Sequence, residues 1–130
     1  MAEEPPYVLV VDDERIIADT LRMIVKSQGY AAVSVYSGEE ALSYAAERPP
    51  HMLISDVVMP GINGFELAIQ LKDRLPDCTV LLISGQVATA ALIEQEKQAG
   101  YVFEVLAKPV HPTEILERVK RVFAPSRSDA

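Results

Sequence analysis

The side chains able to do chemistry fall at a few separated places in this 130-residue chain. Asp12, Asp13 and Glu14 directly follow the apolar run VLVV, Asp56 follows MLIS, Ser84 follows VLLI, and Lys108 with Pro109 follows VLA. Singly, each has a bland explanation: an Asp caps the next helix, a Ser before Gly85 belongs to a turn, a Lys on an acidic surface is solvated. Recurrence at the ends of separate apolar runs points instead to one shared site. Two unit charges about 4 Å apart repel by about 1 kcal/mol in water and about 4 kcal/mol at an effective dielectric of 20. Gathering Asp12, Asp13 and Asp56 therefore requires a proton, a basic side chain or a divalent cation. Hard oxygen donors with no His or Cys beside them favour Mg²⁺, and Lys108 adds one fixed positive charge. Mg²⁺ held by one or two carboxylates keeps positions for water and phosphate oxygens, so the inferred ligand is a phosphoryl group. A metal-oriented carboxylate can itself be the nucleophile and form an acyl phosphate. Asp56, alone at the end of its run, suits that role; Asp12 and Asp13 suit metal holding. Ser84 can donate to the phosphoryl oxygens and Lys108 can neutralise one of them.

These residues must be positioned by the elements around them. Apolar runs at Tyr7 to Val11, Ala32 to Tyr36, Met52 to Ser55, Thr79 to Ser84 and Val102 to Ala107 are short and rich in Val, Ile and Leu. Continuous rather than alternating, VLVV and VLLIS predict strands covered on both faces, the habit of parallel sheets. Helical spacing fills the intervals. Glu14 to Gln28 places Ile17, Leu21, Ile24 and Val25 on one face and stops at Gly29; Ile115, Leu116, Val119, Val122 and Phe123 repeat the pattern after Pro112. Ser37 with Glu40 resembles a capping box for a helix to Arg48, Leu67, Leu71 and Leu75 space a helix over Phe65 to Leu75, and alanine and glutamate propensity predicts another over Ala88 to Ala99. The alternation predicts a single-domain, doubly wound five-stranded parallel α/β sheet with five helices, whose chemistry collects at the C-terminal strand ends. The domain is expected over residues 7–124, between a flexible N-terminus (1–6) and a flexible tail or linker start (125–130).

Composition narrows the function. Hydrophobic residues at 49% and charged residues at 24% fit one globular core. A net charge of −7 disfavours direct nucleic-acid binding. The single cysteine, Cys78, predicts a small buried hydrophobe in a reducing compartment. No secretory leader or membrane span is visible, so a cytoplasmic location is expected. His51 and His111 read as surface or capping residues.

Along Tyr7 to Phe123 the chain resembles the receiver domain of two-component response regulators. VLVVDDE at Val8 to Glu14, ISDVVMPGINGFEL at Ile54 to Leu67, LLISG at Leu81 to Gly85 and AKP at Ala107 to Pro109 carry the likeness. The third-strand segment is the most specific, with Pro60 four residues and Gly64 eight residues beyond Asp56. The resemblance implies a flavodoxin-like strand order of 2-1-3-4-5. It implies that Asp56 accepts phosphate from a partner histidine kinase or phosphotransfer protein, that Asp13 and Asp56 bind Mg²⁺ directly and Asp12 through water, and that the Val58 backbone carbonyl is a further ligand. It implies Ser84 and Lys108 on the phosphoryl group, a cis Lys108–Pro109 peptide, and a switch read on the face of the fourth helix, fifth strand and fifth helix. An unknown downstream protein or output domain would read that face, with the chain a monomer or a phosphorylation-dependent dimer.

One departure concerns the switch. Members carry Tyr or Phe three residues before the lysine, where this chain has Val105. Phe103 shares its strand face and is the candidate replacement, plain core packing being the alternative. Val58 and Gln86, which by resemblance border the path of the attacking water, give that water little help at Val58, so slow self-dephosphorylation is expected. The implied function is a signalling phosphoacceptor, not an enzyme beyond self-phosphorylation from small donors and self-dephosphorylation. The alternatives are a phosphorylation-independent pseudo-receiver scaffold and a small-molecule phosphotransferase or phosphatase working through an aspartyl phosphate.

Overall fold

The computed structural model describes residues 5–85, 94, 97, 100 and 102–123. Strands β1 (Tyr7–Val11), β2 (Ala31–Val35), β3 (Met52–Asp56), β4 (Thr79–Ser84) and β5 (Glu104–Ala107) alternate with helices α1 (Arg15–Ser27), α2 (Gly38–Glu47), α3 (Gly64–Arg74) and α4 (Pro112–Phe123). All the strands pair in parallel, in the order β2-β1-β3-β4-β5. The order turns back at β1, and the switch between β1 and β3 is where such a sheet opens a crevice. Among the described residues four helices have defined bounds rather than the five expected; of the helix expected over Ala88 to Ala99, Glu94 and Lys97 are described and helical, and the rest lies outside the described residues.

Side-chain alternation sorts the core into two layers. Leu9, Val11, Leu53, Val80 and Leu82 face α2 and α3, where Ala41, Ala45, Leu67, Ala68 and Leu71 close over them. Val8, Val10, Ile54, Leu81 and Ile83 face α1 and α4, against Ala18, Val25, Ile115 and Val119. Strands β1 and β3 are buried at every position, which is why their sequence shows no alternation; β2 and β5, on the edges, are only partly covered. The last strand is shorter than its sequence suggests. Its ladder begins at Leu81↔Glu104, while Val102 stands 76% exposed before it.

Local chemistry sets the helix starts. The Ser37 hydroxyl accepts from the Glu40 N–H at 3.0 Å, but the Glu40 carboxylate reaches the Tyr36 N–H at 2.8 Å, so the expected reciprocal box is displaced by one residue. The full capping box is at α3, where Asn63 and Glu66 each bond the other's backbone N–H at 2.9 Å. No helix among the described residues is long and apolar enough to cross a membrane.

Candidate functional site

Strand register brings the candidate residues to one edge. Val11 pairs with Ser55, so Asp12 stands level with Asp56; Asp56 pairs with Ile83, and Ser84 with Ala107, so Ser84 and Lys108 follow one step further along the same edge. Alternation then decides direction, since Asp12, Asp56 and Lys108 continue the rows of Val10, Ile54 and Leu106, all on the α1–α4 face. One carboxylate oxygen from each of Asp12, Asp13 and Asp56 lies within 4.8 Å of the others. Asp12 and Asp56 are buried and Asp13 is exposed, which leaves one side of the cluster open to water. The Lys108 Nζ sits 3.4 Å from Asp56 Oδ1 and 4.0 Å from Asp12 Oδ2. The Lys108–Pro109 peptide is cis, and the Lys108 N–H donates to the Ser84 carbonyl at 2.9 Å.

Burial and mutual repulsion shape the electrostatics. Desolvation pushes the Asp12 carboxyl up to about 6, against a hydrogen bond from the Glu14 N–H at 2.9 Å and the charge of Lys108; Asp56 and Asp13 push it further up. Asp56 is raised above the ordinary carboxylate range, first by burial and also by Asp13, while Lys108 and the Val57 N–H hold it down. Lysine alone therefore leaves the cluster short of positive charge. The donor set is all hard oxygen, and the residues fit a small divalent cation such as Mg²⁺.

The cluster floors a cleft of about 680 Å³ whose other walls are Ile17 and Leu21 of α1, Ile83, and Pro109 with Val110. Ile17 and Leu21 were legible only as a helix face; their four-residue spacing gave no sign that they wall the cleft. Val58 lines it too, the residue being 45% exposed. Ser84 is buried at the end of β4 and is not among the described residues lining the cleft, where Gly85 is. Phe103 and Val105 pack on the opposite face, against the α2–α3 layer, with the Phe103 ring 6.5 Å from that of Phe65. Gln86 lies outside the described residues. The histidines stand apart: the His51 ring is 6.5 Å from that of Phe123, and His111 Nδ1 bonds Thr113 at the start of α4.

The loop after Asp56 is shaped by a close approach. A Cβ on Gly64 would collide with the Asp56 carbonyl oxygen, so only glycine lets α3 begin directly behind the acidic residue. The Gly64 N–H closes the loop on the Val57 carbonyl at 2.8 Å.

The family model of the response regulator receiver domain matches residues 8–120, nearly the whole chain and every cleft residue named above. The chain belongs to that family. Receiver domains are signalling modules for which phosphorylation and magnesium are typical. The response regulator MprA of Mycobacterium avium is 31% identical over 87% of this chain and 49% of its own length. The hydrogenase transcriptional regulatory protein HoxA of Cupriavidus necator is 28% identical over 93% of this chain and 25% of its own. Among solved structures, the chemotaxis protein CheY4 of Vibrio cholerae superposes with a TM-score of 0.78 at 27% identity, covering 92% of this chain and 99% of that one. The chain thus spans half or less of these curated relatives but nearly the whole of a receiver-sized structure.

Proposed function

We propose that this receiver domain is a phosphoacceptor, taking a phosphoryl group onto Asp56 from the histidine of a partner kinase or phosphotransfer protein. The observation that carries the reading is the convergence of three carboxylates within 4.8 Å with an ammonium group 3.4 Å from one of them. Asp12, Asp13, Asp56 and the Val58 backbone carbonyl would hold Mg²⁺, which supplies the positive charge that offsets these carboxylates and the incoming phosphoryl oxygens. An Asp56 carboxylate oxygen attacks phosphorus; the new O–P bond forms as the P–N bond to the partner's imidazole breaks, and the ring nitrogen leaves with the bonding pair. Lys108 pairs with an oxygen of the transferred group, and the Ser84 hydroxyl donates to another. Added charge at Asp56 then draws Ser84 and its loop inward and shifts the population between two arrangements, the change a downstream protein or output domain reads.

Phe103 takes the place of the usual switch aromatic in this proposal, with Val105 beside it on the same layer. HoxA is named a transcriptional regulatory protein, so the expectation of no nucleic-acid contact is narrowed to the receiver itself, whose charge of −7 opposes docking on a nucleic-acid backbone. The proposed setting is the cytoplasm, and the proposed state a monomer or a phosphorylation-dependent dimer.

The test is intact mass after incubation with Mg²⁺ and a small acyl phosphate. A gain of one phosphoryl group, lost in Asp56→Asn and on chelation, is the expected result. An unchanged mass in the wild type would favour a scaffold that is never phosphorylated, and turnover of added phosphate esters would favour an enzyme.

A further inference from the structure

Beyond the acidic cluster, the segment between Asp56 and α3 is gripped from a second element. The carboxylate of Glu39, in the first turn of α2, accepts a hydrogen bond from the Ile62 N–H at 3.2 Å. Its Oε2 also fills the place a side chain would take on Gly61: a Cβ there would lie 2.6 Å from that oxygen, and Gly61 has φ +74°, in the left-handed region. One residue earlier, a Cβ on Gly38 would lie 2.9 Å from the Ile62 Cβ. Gly38 thus lets Ile62 approach the start of α2 closely, and Gly61 leaves room for the Glu39 carboxylate.

The ends of the loop are fixed at Val57, whose N–H donates to the Ile83 carbonyl of β4 at 3.0 Å and whose carbonyl accepts from the Gly64 N–H, and at the Asn63–Glu66 capping box. Its middle, with Val58 on the cleft, has the Glu39 carboxylate as its hydrogen-bonded tether to another element among the described residues. Helix α2 is in turn tied to the end of β2 by Ser37 and by Glu40 on the Tyr36 N–H. A carbonyl ligand can be no better placed than the loop that carries it, and partners that orient ligands are commonly worth 10- to 100-fold in metal affinity.

We infer that Glu39 is a positioning residue: it holds the Val58–Ile62 loop so that the Val58 carbonyl faces the carboxylate cluster. This rests on the phosphoacceptor reading above. Glu39 touches neither the cation nor the phosphoryl group; its effect passes through the Ile62 N–H and the backbone.

The experiment compares wild type, Glu39→Ala and Glu39→Gln in the metal-free and Mg²⁺-titrated protein. The readouts are amide exchange at Ile62, Mg²⁺ affinity from amide shifts over residues 57–63, and the rate of mass gain from an acyl phosphate. Expected for Glu39→Ala are faster exchange at Ile62 without metal, Mg²⁺ affinity weaker by about tenfold and slower phosphorylation, with an unchanged melting temperature. Glu39→Gln keeps an acceptor oxygen and is expected to stay close to wild type. Equal losses in the glutamine and alanine variants would show a charge effect and overturn the inference. Wild-type behaviour of Glu39→Ala, in a protein that binds Mg²⁺ and is phosphorylated, would overturn it while leaving the phosphoacceptor reading intact. A wild type that binds no Mg²⁺ and gains no mass would remove both.

Discussion

At single residues, burial decides most of the unusual chemistry. Cys78 is 2% exposed, and burial pushes its thiol up to about 11 from an ordinary 9.0, with Lys72 pulling weakly the other way. The native state therefore keeps a proton that the unfolded chain releases between those values, so this thiol lowers stability as pH rises through that window and has no effect below it. The two-unit difference means about 100-fold less thiolate at a given pH. Alkylation of Cys78 by iodoacetamide at about pH 8 should accordingly run at least about 100-fold slower in the folded protein than in urea. Val58 is the second case. Its apolar side chain, on a residue 45% exposed at the cleft, offers no hydrogen bond to an attacking water. Under the phosphoacceptor reading, Val58→Asn should shorten the phosphoryl lifetime by roughly tenfold, less than a positioned proton acceptor supplies, followed as loss of the added mass with time.

For the elements, the ends matter more than the middles. Asn63 satisfies the Glu66 N–H in the first turn of α3, one of the donors a helix start leaves without an intrahelical partner, and the Glu66 carboxylate answers it on the Asn63 N–H. Asn63→Ala should cost about 1 kcal/mol in urea denaturation with an unchanged m-value. The signal for this box stands in the sequence as N-x-x-E at Asn63 to Glu66, ahead of the leucine spacing that marks the helix. At α2 the opposite occurred. Ser37 and Glu40 have the spacing of a box, yet Glu40 bonds the Tyr36 N–H, because the chain leaving β2 presents that donor to it. On α1, Ala18 and Val25 are the fully buried positions, while Ile16 is 82% and Met23 61% exposed. A list of apolar residues does not say which stripe a sheet will cover; the crossover geometry does.

In the molecule as a whole, β1 and β3 are the centre of gravity. Leu53 is fully buried on β3, in the layer beneath α2 and α3. Leu53→Ala should destabilise by about 2–5 kcal/mol, since the lost side chain leaves a cavity that two fixed neighbouring strands cannot close. Calorimetry or urea denaturation checks it. Edge strand β5 is held differently, by the Arg118 guanidinium on Glu104 Oε2 at 2.7 and 2.9 Å, an exposed pair worth little by itself.

The sequence alone determined the alternation of strands and helices, the unbroken apolar runs of the covered strands, and the placing of Asp12, Asp56, Ser84 and Lys108 at strand ends. Local residue type and period carry all of these, because burial on both faces and the change from strand to loop are written in neighbouring residues. Tertiary structure alone decided that Asp12, Asp56 and Lys108 share one face, that Ile17 and Leu21 wall their cleft, and that Glu39 reaches the loop behind Asp56. Those facts depend on register between strands far apart in the chain and on where α2 comes to rest. No short window of sequence contains either, since a slip of one residue in a ladder would turn every side chain to the other face.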